Sequence, residues 1–168
     1  MRLYSGQIPS VAQDILQVLD EEDLEIIPEN IPEVDQDIQS VLREYIRLDR
    51  ELTDRARERS SGRGSIGREK RKLAKTKGVS IFEDPVGYII DQLIETFFHS
   101  HFVEEVFSAD RVLRRKISPV LKGYMNVQEE LDLEVRDKIK NLEEGSASWD
   151  IEYQKAMGNL KRVKKLEE

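Results

Sequence analysis

The sequence predicts an all-α fold, a helical bundle of two similar three-helix halves packed about a pseudo-twofold axis. The first observation behind this is a repeat. Val41, Leu42, Arg43, Tyr45, Ile46, Leu48, Glu51, Leu52 and Arg57 recur at one constant offset as Val120, Leu121, Lys122, Tyr124, Met125, Val127, Glu130, Leu131 and Arg136. The same offset matches Val11, Ile15, Val18, Leu19 and Leu24 with Ile90, Ile94, Phe97, Phe98 and Val103. A repeat of this length marks a duplicated supersecondary unit, since one copy alone leaves an apolar face uncovered. The second observation is apolar spacing by three and four residues over most of the chain, the period of amphipathic helices. The third is composition: 36% charged and 38% apolar residues fit charged helices around a core better than a disordered chain. With 168 residues the natural organisation is one compact unit of two packed halves, 1–78 and 79–168.

The elements follow in order. Pro9 suits a first helical position, and Val11, Ile15, Val18 and Leu19 form one face of a helix running to about Asp23. Pro28, Asn30 and Pro32 make the next stretch a connection that could extend briefly around Ile26 and Ile27. From Val34 to Arg59 the positions Val34, Ile38, Val41, Leu42, Tyr45, Leu48, Leu52 and Ala56 predict one long helix. Ser60, Ser61, Gly62, Gly64 and Gly67 end it in a loop, and a short basic helix, Arg68 to Lys77, closes the half at Gly78. Asp84 as N-cap and Pro85 open the second half, with an apolar band from Val86 through Phe102. Ser108 or Asp110 caps a counterpart long helix, Arg111 to Leu142, in which Pro119 predicts a kink or break. After Gly145, the residues Trp149, Tyr153, Met157, Leu160, Val163 and Leu166 space a terminal helix.

Charge is unevenly distributed. Between Arg2 and Arg43 there is no lysine or arginine, while Asp14, Asp20, Glu21, Glu22, Asp23, Glu25 and Asp37 are among many acids. That stretch reads as a negative surface. The sign then reverses: Arg55, Arg57, Arg59, Arg63, Arg68, Lys70, Arg71, Lys72, Lys75 and Lys77 are opposed only by Glu58 and Glu69. Lys161, Arg162, Lys164 and Lys165 echo this at the end of the second half. Basic residues at this density can neutralise phosphates and release counterions. Two plainer roles compete: offsetting helix dipoles at C-termini, and pairing with the acidic N-terminal segment of the same chain. The plainer roles are favoured, because the chain carries a net charge of −7 and no aromatic interleaves the basic run.

Other chemistries find little support. His99 and His101 lie two apart, so on a helix they diverge by about 200°, and only His101 with Glu105 shares a face. No phosphate-binding glycine loop joins a strand to a helix, and no serine sits in a nucleophile elbow. Trp149 reads as a packing anchor, and Tyr45 and Tyr124 as equivalent packing residues. The absence of cysteine excludes disulfides and thiolate metal sites. No apolar run approaches the roughly 20 residues of a membrane span, and residues 1–10 have no signal-peptide core, so the cytoplasm is the default.

The opening MRLYSGQIP, the VLREY and VLKGY repeats with their REL and EEL continuations, and RDKIKNLEEG followed by WDIEYQK resemble the bacterial domain-of-unknown-function family 507. The resemblance covers nearly the whole chain and implies a helical bacterial protein, with no established activity or catalytic residues to carry over. The expected function is therefore a non-enzymatic binding or adaptor module presenting charged faces to a macromolecule, with no cofactor or metal and no membrane. A protein partner ranks ahead of a nucleic acid or ribosome, which would be met by residues 55–77 and the Lys161 to Lys165 patch, and a metal-dependent enzyme is a distant third.

Overall fold

The computed structural model describes residues 1–60, 66–78 and 80–166. It is all-α apart from a two-residue antiparallel ribbon. The elements are α1 (Ile8–Val18), β1 (Leu24–Glu25), α2 (Ile31–Arg59), α3 (Ile66–Lys77), α4 (Pro85–His99), β2 (Glu105–Val106), α5 (Asp110–Met125), α6 (Val127–Lys138) and α7 (Ala147–Val163). Short 3-10 turns, Ser5–Gln7 and Pro28–Asn30, lead into α1 and α2.

The amphipathic period explains the centre. Val34, Ile38, Leu42, Tyr45, Leu48, Leu52 and Ala56 are the buried positions of α2, each three or four residues from the next. At 29 residues α2 is about 43 Å long and forms the main strut. Helix α1 packs on α2 and α5, and α4 on α5 and α2, with the ribbon pairing Leu24 to Val106 and Glu25 to Glu105 between them. Helix α3 folds back on α2, and α7 on α6. The main apolar cluster joins residues of α1 through α5. A smaller one is built from Leu131, Val135 and Ile139 with Met157, Leu160, Leu166 and the distant Tyr4.

Several boundaries differ from the sequence reading. The first helix stops at Val18, because the backbone turns extended at Leu19 and Asp20 and Asp23 then build a tight turn. The second-half helix stops at His99, leaving Phe102 in the following turn. Asp84 caps α4 as expected, its carboxylate accepting the Gly87 amide at 2.9 Å. Ser108 caps nothing: its hydroxyl donates to Asp23 at 2.6 Å, and α5 starts at Asp110 with Ala109 as N-cap.

The counterpart long helix is broken, but not at Pro119. Helix α5 runs unbroken through this proline, which is exposed together with Arg115, whose carbonyl it leaves unbonded, so water can satisfy that carbonyl. The break falls at Asn126. There the Met125 carbonyl accepts the Arg2 amide at 3.0 Å and the Tyr124 carbonyl accepts Gln7 Nε2 at 3.2 Å. An α-helix continued through this point would use those carbonyls for its own amides. The N-terminal segment captures them where α5 ends and α6 begins.

The same segment fastens α6 and α7. Tyr4 is buried in the smaller cluster, donates its hydroxyl to Gln128, and carries the Arg2 guanidinium 4.5 Å and the Lys161 ammonium 5.3 Å from its ring centre. The Gly6 amide donates to the Leu166 carbonyl at 2.9 Å.

Candidate functional site

Helix α3 has two opposed stripes. Leu73 and Ala74 are its buried residues, and Lys70 and Lys77 share their side of the helix at the same three- and four-residue steps. These two lysines reach α2, where Lys70 meets Asp49 at 3.3 Å and Lys77 meets Glu51 at 2.9 Å. Lys70 also stands 4.6 Å from the centre of the Phe82 ring. The Lys77 and Arg47 cations beside Glu51 hold its carboxyl below the usual range. Lys70 and Lys77 thus serve to bolt α3 onto α2.

Arg68, Arg71, Lys72 and Lys75 follow the same spacing on the opposite side, and all four are exposed. They extend along about 10 Å of helix axis. Lys72 pairs within the helix with Glu69 at 3.3 Å, an interaction worth at most about 1 kcal/mol at such exposure. Arg71 and Lys75 have no ion-pair partner among the described residues and overlook an open cleft of about 290 Å³ bounded by Gly78, Ser80, Phe82 and Glu83. Arg63 lies outside the described residues.

The second basic patch is largely used internally. Lys161 sits over Tyr4, Lys164 pairs with Glu134 at 3.3 Å, and Arg162 bonds Asn159 at 2.6 Å. Lys165 is exposed in a left-handed turn, φ 53°, that carries the chain back to Leu166.

Among the described residues, Lys70, Lys72 and Lys77 of the basic run pair with Asp49, Glu69 and Glu51 rather than with the acidic N-terminal segment. That segment is met from the second half: Lys116 bonds Asp23 at 2.6 Å and approaches Asp20 at 3.5 Å, and the Ser100 hydroxyl donates to Asp37 at 2.8 Å. Asp23, expected on a negative surface, is only 2% exposed. Burial pushes its carboxyl up, but hydrogen bonds from Lys116, Ser108 and the Asp20 amide outweigh this and lower it from 3.8 to about 2.

A carboxyl lowered in the fold stabilises it above its unfolded value and loses that contribution as pH falls through its folded one. Asp23 therefore contributes about 2 kcal/mol near neutrality, fading between about pH 4 and pH 2. Denaturant midpoints across this range should fall more steeply for the native chain than for Asp23→Asn; parallel profiles would refute the assignment.

A groove between α2 and α4 that periodicity did not reveal has a volume of about 260 Å³, lined by Asp37, Ser40, Glu44, Tyr45, Tyr88 and Gln92 among others. Its acids are engaged, Asp37 by Ser100 and Glu44 by Arg47 at 2.7 Å. Burial pushes the Tyr45 and Tyr88 hydroxyls up, and the Arg47 hydrogen bond holds Glu44 down. These shifts move the groups away from neutral titration, the opposite of what general acid-base work requires.

Tyr124, at Tyr45's place in the repeat, is half-buried and donates to Asp14 at 2.6 Å, which raises its hydroxyl to about 12. Trp149 is half-buried against the smaller cluster and stacked 5.0 Å from Tyr153. His101 and Glu105 do not share a helical face, because α4 has ended before them and Glu105 belongs to β2. Among the described residues no three His, Cys, Asp or Glu side chains gather where they could hold a metal ion. Nor is any described helix long and apolar enough to cross a membrane.

The outward direction of the α3 cations was legible in principle: adjacent Leu73 and Ala74 mark the inner face, and a helical projection places Arg68, Arg71, Lys72 and Lys75 opposite. No curated protein matches the chain. The profile of the family described as Protein of unknown function (DUF507) matches residues 1–166, including the N-terminal segment that breaks and fastens the second long helix. The chain belongs to the DUF507 family.

Proposed function

We propose that this protein is a non-enzymatic binding module that docks an anionic macromolecule through the outward face of α3. The observation that carries the reading is the exposed set Arg68, Arg71, Lys72 and Lys75, aligned on one side of a helix whose other side is bolted to α2. A rigid mount matters, because cations held in place lose less freedom on binding than cations on a loose chain. The engaged acids and raised tyrosines of the α2–α4 groove favour binding over catalysis.

The same reading takes the protein as bacterial and cytoplasmic, from the family resemblance and the cysteine-free composition. It also takes residues 1–78 and 79–168 as two similar halves about a pseudo-twofold axis. Supporting this, the offset that pairs Val41 with Val120 exchanges the strands around the ribbon, and the Leu24–Val106 register maps onto Ile27–Val103. The packing of α1 on α5 likewise maps onto that of α4 on α2.

Retention on phosphocellulose at rising salt tests the docking face. The native chain should be retained at low salt and the variant Arg68→Gln/Arg71→Gln/Lys72→Gln/Lys75→Gln should flow through. Its melting temperature should change little, because exposed substitutions of this kind usually cost within about 0.5 kcal/mol each. No retention of the native chain, or equal retention of the variant, would overturn the reading.

A further inference from the structure

We infer that the anionic partner of the α3 face is a double-helical nucleic acid, held by its phosphates without regard to base sequence. This rests on the reading of α3 as a docking element and adds what docks there. The composition of the face disfavours a protein partner and a single strand by what each needs.

A protein interface is anchored by apolar or aromatic side chains in a desolvated centre. The outward stripe offers none. Arg68, Arg71, Lys72 and Lys75 are flanked along the helix by Gly67, Glu69 and Thr76; Leu73 and Ala74 are buried on the other side, and Ile66, 39% exposed at the start of α3, falls on that same side, seven residues before Leu73. A single strand is held by stacking its bases on aromatic rings. The ring that borders the cleft with Arg71 and Lys75 is Phe82, which is partly buried and already carries the Lys70 ammonium. A duplex requires neither anchor nor ring. Its bases are stacked on each other, and its phosphates present one charge per about 1.7 Å of axis along a stiff rod.

A straight helix carrying four cations over about 10 Å is a stiff match to such a rod. The two arginines can bond phosphate oxygens in bidentate fashion. Two acids temper the face. Glu69 pairs with Lys72, and Glu83 borders the cleft under Arg71 and Lys75, so contact is confined to the crest of α3. The net charge of −7 repels phosphate from the rest of the molecule, which orients the protein and keeps affinity low at physiological salt.

Fluorescence anisotropy on the full chain tests this with duplex RNA and duplex DNA of about 20 base pairs in two unrelated sequences, the corresponding single strands, and polyglutamate. Duplexes should bind with affinities agreeing within about threefold between sequences, and the plot of log affinity against log salt should fall with a slope no steeper than about −3.6, the limit for four phosphates. Single strands and polyglutamate should bind at least about tenfold more weakly. Arg71→Gln/Lys75→Gln should weaken duplex binding by about tenfold and flatten the slope by about 2. Equal binding of single strands or polyglutamate that still depends on Arg71 and Lys75 overturns the duplex inference and leaves the docking face standing. No binding to any of these polyanions, or binding indifferent to the two substitutions, overturns both.

Discussion

Gly6→Ala should loosen α6 and α7 from the rest of the molecule, at a cost of about 3 kcal/mol. The 3-10 turn at Ser5–Gln7 passes so close to the end of α7 that a Cβ on Gly6 would sit inside the van der Waals shell of the Lys165 carbonyl oxygen and only 3.0 Å from the Leu166 carbonyl carbon and oxygen. Both neighbours are backbone. Lys165 holds a left-handed conformation, and Leu166 is buried and accepts the Gly6 amide, so neither can yield without giving up a bond. Overpacking usually costs about 1–3 kcal/mol, and the lost hydrogen bond adds about 1. The damage should be local. The smaller apolar cluster has only a handful of members and depends on Tyr4 from the same segment, so it should open before the main core. Hydrogen exchange should quicken in α6 and α7 while the amides of α1, α2 and α4 keep their protection. Uniform acceleration, or none, would show that the N-terminal segment is not the fastening.

Asp23→Ala should destabilise the main core by a similar amount, also about 3 kcal/mol. Its carboxylate receives Lys116, the Ser108 hydroxyl and the Asp20 amide, while its carbonyl accepts the Phe107 and Ser108 amides at 2.8 and 3.3 Å. One residue thereby ties the turn after α1 to the segment between β2 and α5. Removing one partner of a buried ion pair costs about 3–5 kcal/mol, and the lower end applies because the Lys116 side chain is 30% exposed and can recover water and Asp20. Asp23→Asn keeps an acceptor for Ser108 and should cost about half as much. Against a typical domain stability of about 5–15 kcal/mol, the alanine variant should unfold at a visibly lower urea concentration. Equal midpoints for alanine and native chains would mean that the network contributes no net stability.

Asp23 and Asn126 show where the sequence was legible and where it was not. The long apolar period of α2 and the Asp84–Pro85 start of α4 are local signals, and both read correctly. The break at Asn126 has its cause at Arg2 and Gln7, more than a hundred residues away, so no window around Asn126 contains it. Pro119, the local signal that predicted a break, lies on the solvent side where its missing hydrogen bond is cheap. Asp23 looked like one more member of a negative surface because its burial depends on Lys116 from the other half of the chain. The α3 cations divided unexpectedly for a related reason. Lys70 and Lys77 are structural only because Asp49 and Glu51 stand opposite them.

The N-terminal clasp also imposes an order of events on the growing chain. On a ribosome, residues 2–7 are made before the carbonyls of Tyr124 and Met125 that receive them, and the turn at Leu166 is made later still. The main core can collapse once α5 is made, while the apolar side chain of Tyr4 waits uncovered for α6 and α7. Closure is then a late, long-range event, intrinsically slow because two segments far apart in sequence must find each other across the finished core. A clasp between segments so far apart in sequence makes the seating of α6 and α7 depend on Tyr4 and Gly6 having stayed available until both helices exist.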